Sequence, residues 1–223
     1  AASDVYKRQT KRLIGRDGNV YTVKRGAVII GDGTAKLTKG YYAAIDIASE
    51  SGLPQGLETG YVFRADETVI PKSGDKVIPL ELTKRCDIRN FSIEYNADEI
   101  DVTTLCDDTK KYRAGFIDAS GSMEGLTTIN VSEDLLNRFV PVITQGTALS
   151  DVELKDIDGE ALLLKLELNG ANAGGDVLSY FATVALTSYT IGASIDSEQT
   201  YTAKFRITPD DVIKPAILKE KTE

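Results

Sequence analysis

The feature that most constrains this chain is a period of two. In 201–208, "YTAKFRIT", Tyr201, Ala203, Phe205 and Ile207 alternate with Thr202, Lys204 and Arg206. In 161–170, "ALLLKLELNG", Leu162, Leu164, Leu166 and Leu168 share one face, and Leu163, Lys165 and Glu167 take the other. Side chains repeat every second residue only in a strand, so both segments predict strands with one face on a core and one in water. Similar segments at 41–48, 60–65, 75–82, 87–96 and 177–192 are bounded by Gly, Pro, Asp or Ser. In 87–96 the phase slips between Ile88 and Phe91, which predicts a bulge there.

Helical signals are few. Ser132–Phe139 has a capping Ser, first-turn acids and an apolar stripe of Leu135, Leu136 and Phe139, and Pro141 ends it. "RLIGRDGNVYTVKR" (12–25) predicts a hairpin turning at Asp17-Gly18. The chain divides into 1–9, a basic arm with a hairpin over 10–39, a β domain over 40–208 and a short charged tail over 209–223. Asp4–Gln9 resembles a translated sequencing adapter, so residues 1–9 are set aside.

Chemistry is sparse. There is no His, which removes the usual general base near neutral pH and the Ser-His-Asp arrangement. Cys86 and Cys106 lack CxxC spacing, so a structural zinc site is not expected and two free thiols are. Gly31–Lys36 is Gly-rich but lacks the phosphate-loop spacing. Adjacent acids such as Asp98 and Glu99 point to opposite faces of a strand, a poor geometry for paired acid and base. The chain is read as a non-enzyme without cofactors.

One stretch raises a metal question. "FIDASGSM" (116–123) resembles the metal-ion-dependent adhesion motif of von Willebrand A domains, in which Asp118, Ser120 and Ser122 would hold a divalent cation. Such a motif precedes a long helix, whereas "MEGLTTINV" (123–131) reads as another strand. The three residues are therefore read as a turn between two strands that binds no cation.

Residues 86–129 and 185–208 together resemble phage major tail proteins, the tail-tube subunits of long-tailed phages. The likeness rests on the order of elements over roughly 40–208: Ile100-Asp101-Val102-Thr103-Thr104 after a strand, a polar loop, Ala114–Ser122 ending in small residues, a partner strand, the helix Ser132–Phe139, and a Ser-Tyr strand end followed by Gly. It implies a mainly β fold, a β-sandwich or partly closed β-barrel with one flanking α-helix and an extended N-terminal arm. It implies a virion tail protein assembled in the host cytoplasm, without a membrane. Stacked hexameric rings would surround genomic double-stranded DNA during ejection. Partners would be other copies and the tape-measure, tail-terminator and baseplate proteins.

Another virion β-sandwich (tail terminator, baseplate hub or contractile inner tube), a surface adhesin and a β-rich enzyme stay open as alternatives. Net charge bears on the channel. Residues 1–25 carry +5 in a chain of −8, leaving −13 for residues 26–223. An acidic lumen would let DNA slide by repelling phosphates; the acidity is otherwise a solubility feature. Glu94 and Glu167, on expected polar strand faces, are the lumen-facing candidates, with Asp98, Glu99 and Asp101 behind them.

Overall fold

The computed structural model describes residues 11–15, 18–103, 109–127, 135, 161–168, 176–194, 197–208 and 212–221. These form β1 (Lys11–Gly15), β2 (Val20–Arg25), β3 (Ile29–Ile30), β4 (Gly40–Asp46), β5 (Val62–Ala65), β6 (Lys76–Arg85), β7 (Ile88–Asp101), β8 (Tyr112–Leu126), β9 (Leu162–Glu167), β10 (Asp176–Ser194), β11 (Ser197–Ile207) and β12 (Ala216–Lys221). All belong to one open antiparallel sheet, not a closed barrel, ordered β1-β7-β8-β11-β10-β9-β2-β6-β4-β5, with β12 on β10 and β3 on β6. The predicted helix Ser132–Phe139 falls outside the described residues except Leu135, which is helical and buried in the core.

Two segments pair differently from expectation. β1 and β2 are not a hairpin: β1 pairs with β7, and β2 with β6 and β9. They stand at the two ends of a run of seven strands, yet only residues 16–19 join them. Laid flat, that run would separate them by about 29 Å at the usual strand spacing. A four-residue link reaches at most about 17 Å. The run must therefore roll up. Contacts agree: a Cβ on Gly18 would lie 1.9 Å from the Glu167 carbonyl of β9 and 3.1 Å from the Phe91 ring of β7. Tyr95 of β7 also hydrogen-bonds Tyr180 of β10 across the interior. The segment after Ile207, read as a tail, returns as β12, with Ile213 fully buried.

The predicted turn at Asp118–Ser122 is also corrected, because β8 runs through it without a break. The small residues answer a packing need. On the inner face, a Cβ on Gly121 would sit 2.4 Å from the Phe205 ring, and one on Gly125 would sit 2.9 Å from the Tyr201 ring. Each glycine lies directly opposite the aromatic residue of β11 that covers it. The bulge expected after Ile88 is present, as a register shift between Ile88 and Asn90.

Two main cores result. The first gathers Phe91, Met123, Leu164, Leu166, Tyr201 and Phe205 inside the roll. The second packs Val23, Val62, Leu80, Leu163, Phe181 and Ile213. The alternation of β9 and β10 divides their side chains between the two. Leu162, Leu164, Leu166 and Leu168 face the first core as predicted. The opposite face was expected to be wet, but Leu163 and Lys165 are only 2% and 4% exposed. A second core covers that face, which the alternation within one strand does not reveal. A third cluster, including Leu37, Tyr42, Phe63 and Val77, packs under the loops around β4.

Phe205 is 1% exposed, so Phe205→Ala is expected to cost about 3–5 kcal/mol in urea unfolding; a negligible change in midpoint would mean the strand phase is wrong. Asp75 is fully buried and accepts N–H bonds from Ala48 (3.0 Å), Gly52 (3.0 Å) and Lys72 (2.8 Å). Burial raises its carboxyl, but these bonds outweigh burial and hold it below the usual carboxylate range. Its contribution is thus full above the unfolded value near pH 4 and lost as pH falls through the lower folded value. Asp75→Asn is expected to cost on the order of 2 kcal/mol at pH 7, with the difference from the native chain shrinking in acid. A pH-independent difference would contradict this.

Candidate assembly surfaces and a buried charge cluster

β7, β8 and β11 present an alternating polar face. Ser92 and Ser122 approach within 3.0 Å through their hydroxyls, Glu94 stands opposite Ser120, and Arg206 donates to Asp118 at 2.9 Å. The strand register thus brings lumen candidate Glu94 beside all three residues of the DxSxS stretch. In an unbroken strand, Asp118, Ser120 and Ser122 are spread along one face, two residues apart. Lys204 and Arg206 of β11 mix positive charge into it, so this face is polar but not uniformly acidic.

Beyond Ser120, β8 loses its β11 neighbour, because β11 ends at Ile207 opposite Val184. Among the described residues, the distal parts of β7 and β8 continue as a two-stranded ribbon. No described side chain from Asn96 to Thr103 or from Thr109 to Asp118 is buried. Ile100 is 49%, Val102 42% and Ile117 70% exposed. Asp98 and Asp101 lie on this ribbon, and Glu99 belongs to its backbone. Near the tip, hydrogen bonds from the Thr103 hydroxyl and N–H hold the Asp101 carboxyl below its usual range.

A second apolar surface lies at β3. Val28, Ile29 and Ile30 are exposed, and Ile30 borders a cavity of about 200 Å³ lined also by Leu37, Tyr42 and Pro71. β3 continues the line of β2 past Arg25, away from the β9 end marked by Glu167. Through the same registers, the ribbon runs toward the Asp176 end of β10, which lies beside Glu167. By register, the two apolar surfaces therefore lie toward opposite ends of their strands.

Glu167 is separate from the other acids. It lies next to Lys165, whose side chain is 5% exposed, at 3.3 Å, and its second oxygen accepts from Asn19 Nδ2 at 2.8 Å. Lys165 Nζ donates to the Tyr41 hydroxyl at 2.9 Å and lies 4.5 and 5.0 Å from the Tyr41 and Tyr21 ring centres. Tyr41 in turn donates to Glu220 of β12 at 2.8 Å. Burial, then Glu220, pushes the Tyr41 phenol up; burial, then Glu167, does the same for Tyr21. A second buried cluster joins Arg85 to Asp87 (3.3 Å) and Tyr201 to Asp87 (2.5 Å).

Sequence reasoning did not single out Lys165, Asn19 or the Val28–Ile30 edge. A lysine within a run of leucines and an unbroken Val-Ile-Ile were the available signals. Cys86 is an exposed free thiol, and Cys106 falls outside the described residues. Among the described residues, no three His, Cys, Asp or Glu side chains converge as a metal site.

No protein-family model and no curated protein matches the sequence. Among solved structures, the chain is similar to a chain in the tail of an empty gene transfer agent particle with C6 symmetry. That match has 16% identity and a TM-score of 0.42, over 61% of this chain and 84% of the other. It is also similar to a chain of the native gene transfer agent virion, with 17% identity and a TM-score of 0.42, over 62% and 88%. Likeness at this level assigns no activity.

Proposed function

We propose that this chain is a self-assembling structural subunit of a phage-type tail tube. The observation that carries the proposal is the β7–β8 ribbon, which bears exposed Ile100, Val102 and Ile117 and, among the described residues, no buried side chain. An isolated two-stranded ribbon is marginal in water, and exposed apolar groups on one favour contact with another chain. A second apolar surface, at Val28–Ile30, lies toward the other end of the strand axis. Two different surfaces facing opposite ways join copies head to tail, and such heterologous contacts generate rings or stacks. This matches the hexameric rings and stacked tube that the resemblance implies. The tape-measure, terminator and baseplate proteins, and DNA in transit, come with that reading. So does assembly in the host cytoplasm.

In such a tube, the polar face bearing Glu94, Ser92, Ser120 and Ser122 would suit a wet wall that repels phosphates. Asp98, Glu99 and Asp101 would sit at a contact between subunits. Glu167 is left out of the wall because it is held by Lys165 and Asn19.

The purified chain is expected to form rings or tubes with a channel in negative-stain images. Ile100→Asp with Ile117→Asp should reduce assembly at least tenfold by light scattering, while the far-UV spectrum and unfolding midpoint stay close to native. A strictly monomeric native chain at high concentration would refute the proposal, and unimpaired assembly of the double variant would remove the ribbon from it. A structure of the assembled tube should place Glu94 on the channel wall. Finding it on the outer surface would reduce the acidity to a solubility feature.

A further inference from the structure

The cluster around Lys165 has a composition that ordinary structural ion pairs do not need. One carboxylate, Glu167, touches a lysine ammonium on one side and a neutral side-chain amide, that of Asn19, on the other, at 3.3 and 2.8 Å. Lys165 is nearly excluded from water and walled by the rings of Tyr21 and Tyr41. The backbone fixes the partners. Tyr21 stands opposite Lys165, and the Glu167 N–H donates to the Asn19 carbonyl at 2.8 Å. Lys165 and Asn19 are therefore diagonal neighbours on one face of the β2–β9 pair, a spacing that a long side chain bridges.

We propose that Lys165 and Asn19 become joined by an intramolecular amide bond, with Glu167 as the general acid and base. Glu167 Oε1, 3.3 Å from Lys165 Nζ, is placed to take a proton from it as general base. The freed Nζ lone pair attacks Asn19 Cγ, while the protonated Glu167 polarises the amide and supplies a proton to the departing nitrogen. The Nζ–Cγ bond forms and the Cγ–Nδ2 bond breaks. The Lys165 ammonium gives up two protons; both leave with Nδ2 and its own two as an ammonium ion, and Glu167 ends as the carboxylate it began as. No oxidant, cofactor or further reactant is required. Holding the amine and amide on adjacent strands supplies the proximity that makes an otherwise sluggish exchange feasible. The product would tie β2 to β9 covalently, at the wall between the two main cores.

The test is the intact mass of the purified, fully denatured native chain, followed by peptide mapping. The expected mass is lower than the sequence mass by one ammonia, with residues 19 and 165 recovered in a single branched peptide. Glu167→Ala, Asn19→Ala and Lys165→Arg should each return to their full sequence mass. A native chain at full sequence mass after prolonged incubation, with 19 and 165 in separate linear peptides, overturns the proposal. So does an ammonia loss without the branched peptide, which is the signature of ring closure at Asn19 alone. The native chain alone distinguishes these outcomes, so the test holds even where a variant fails to fold. The outcome is also independent of whether the chain assembles.

Discussion

The structure depends on a strand buried from both sides. β9 sends Leu162, Leu164 and Leu166 into one core and Leu163 into another, and β10 divides Tyr180 and Phe181 in the same way. Antiparallel sheets usually keep one face in water. Here the shared wall lets a single sheet serve two cores, one on each face of β9 and β10. β11, β8, β7 and β1 roll around the first core, while β2, β6, β4, β5 and β12 contribute to the second. The Lys214 N–H to Gly60 carbonyl bond (2.8 Å) draws the approach to β12 beside the approach to β5. A charged side chain in the middle of such a wall is costly without partners. That is why Lys165 is surrounded by Glu167, Tyr41 and Tyr21.

Much of the strand content was legible, because a half-buried strand writes its period into the sequence. β11 kept its predicted phase: Tyr201, Ala203 and Phe205 are buried and Lys204 and Arg206 exposed, while Thr202 and Ile207 are half-buried. The slip after Ile88 was legible for the same reason. What the sequence concealed was long-range pairing. Asp17-Gly18 is good hairpin chemistry, yet β1 and β2 pair with strands far along the chain. Asp118-Ala119-Ser120-Gly121-Ser122 is good turn chemistry, yet the strand runs through it, with Gly121 under the Phe205 ring of β11. Local composition cannot distinguish a glycine that turns the chain from one that makes room for an aromatic ring on the next strand.

The candidate surface residues divide on the same principle. Glu94 was placed on a polar strand face by alternation, and it sits there; among the described residues β7 has a core on one side only. Glu167 was placed by the same rule, and the structure joins it, half-buried, to the buried Lys165, because β9 has a core on both. One pattern thus carries two meanings, set by what lies across the strand's second face. Asp118 illustrates a third case. Its side chain is 55% exposed and meets Arg206, which is 65% exposed, so their contact is screened by water and contributes little to stability. That pair helps set the charge of the face more than it holds the fold.

The ribbon remains the element that the monomer explains least. β7 and β8 are 14 and 15 residues long, well beyond the usual five or six. Their proximal halves are fastened by Phe91, Ile93 and Met123, all at most 2% exposed. Among the described residues the distal halves show no comparable burial, and a register shift marks the ladder between Ala97 and Glu99. Exposed isoleucines on such a ribbon add no stability to the monomer and promote association of its edges. Edge strands that stay monomeric carry charges, prolines or bulges to prevent pairing. This ribbon has a bulge at its base and acids along it, yet it keeps Ile100 and Ile117 open to solvent. Charge that limits indiscriminate pairing, together with apolar groups that favour one partner, suits a surface built for specific assembly.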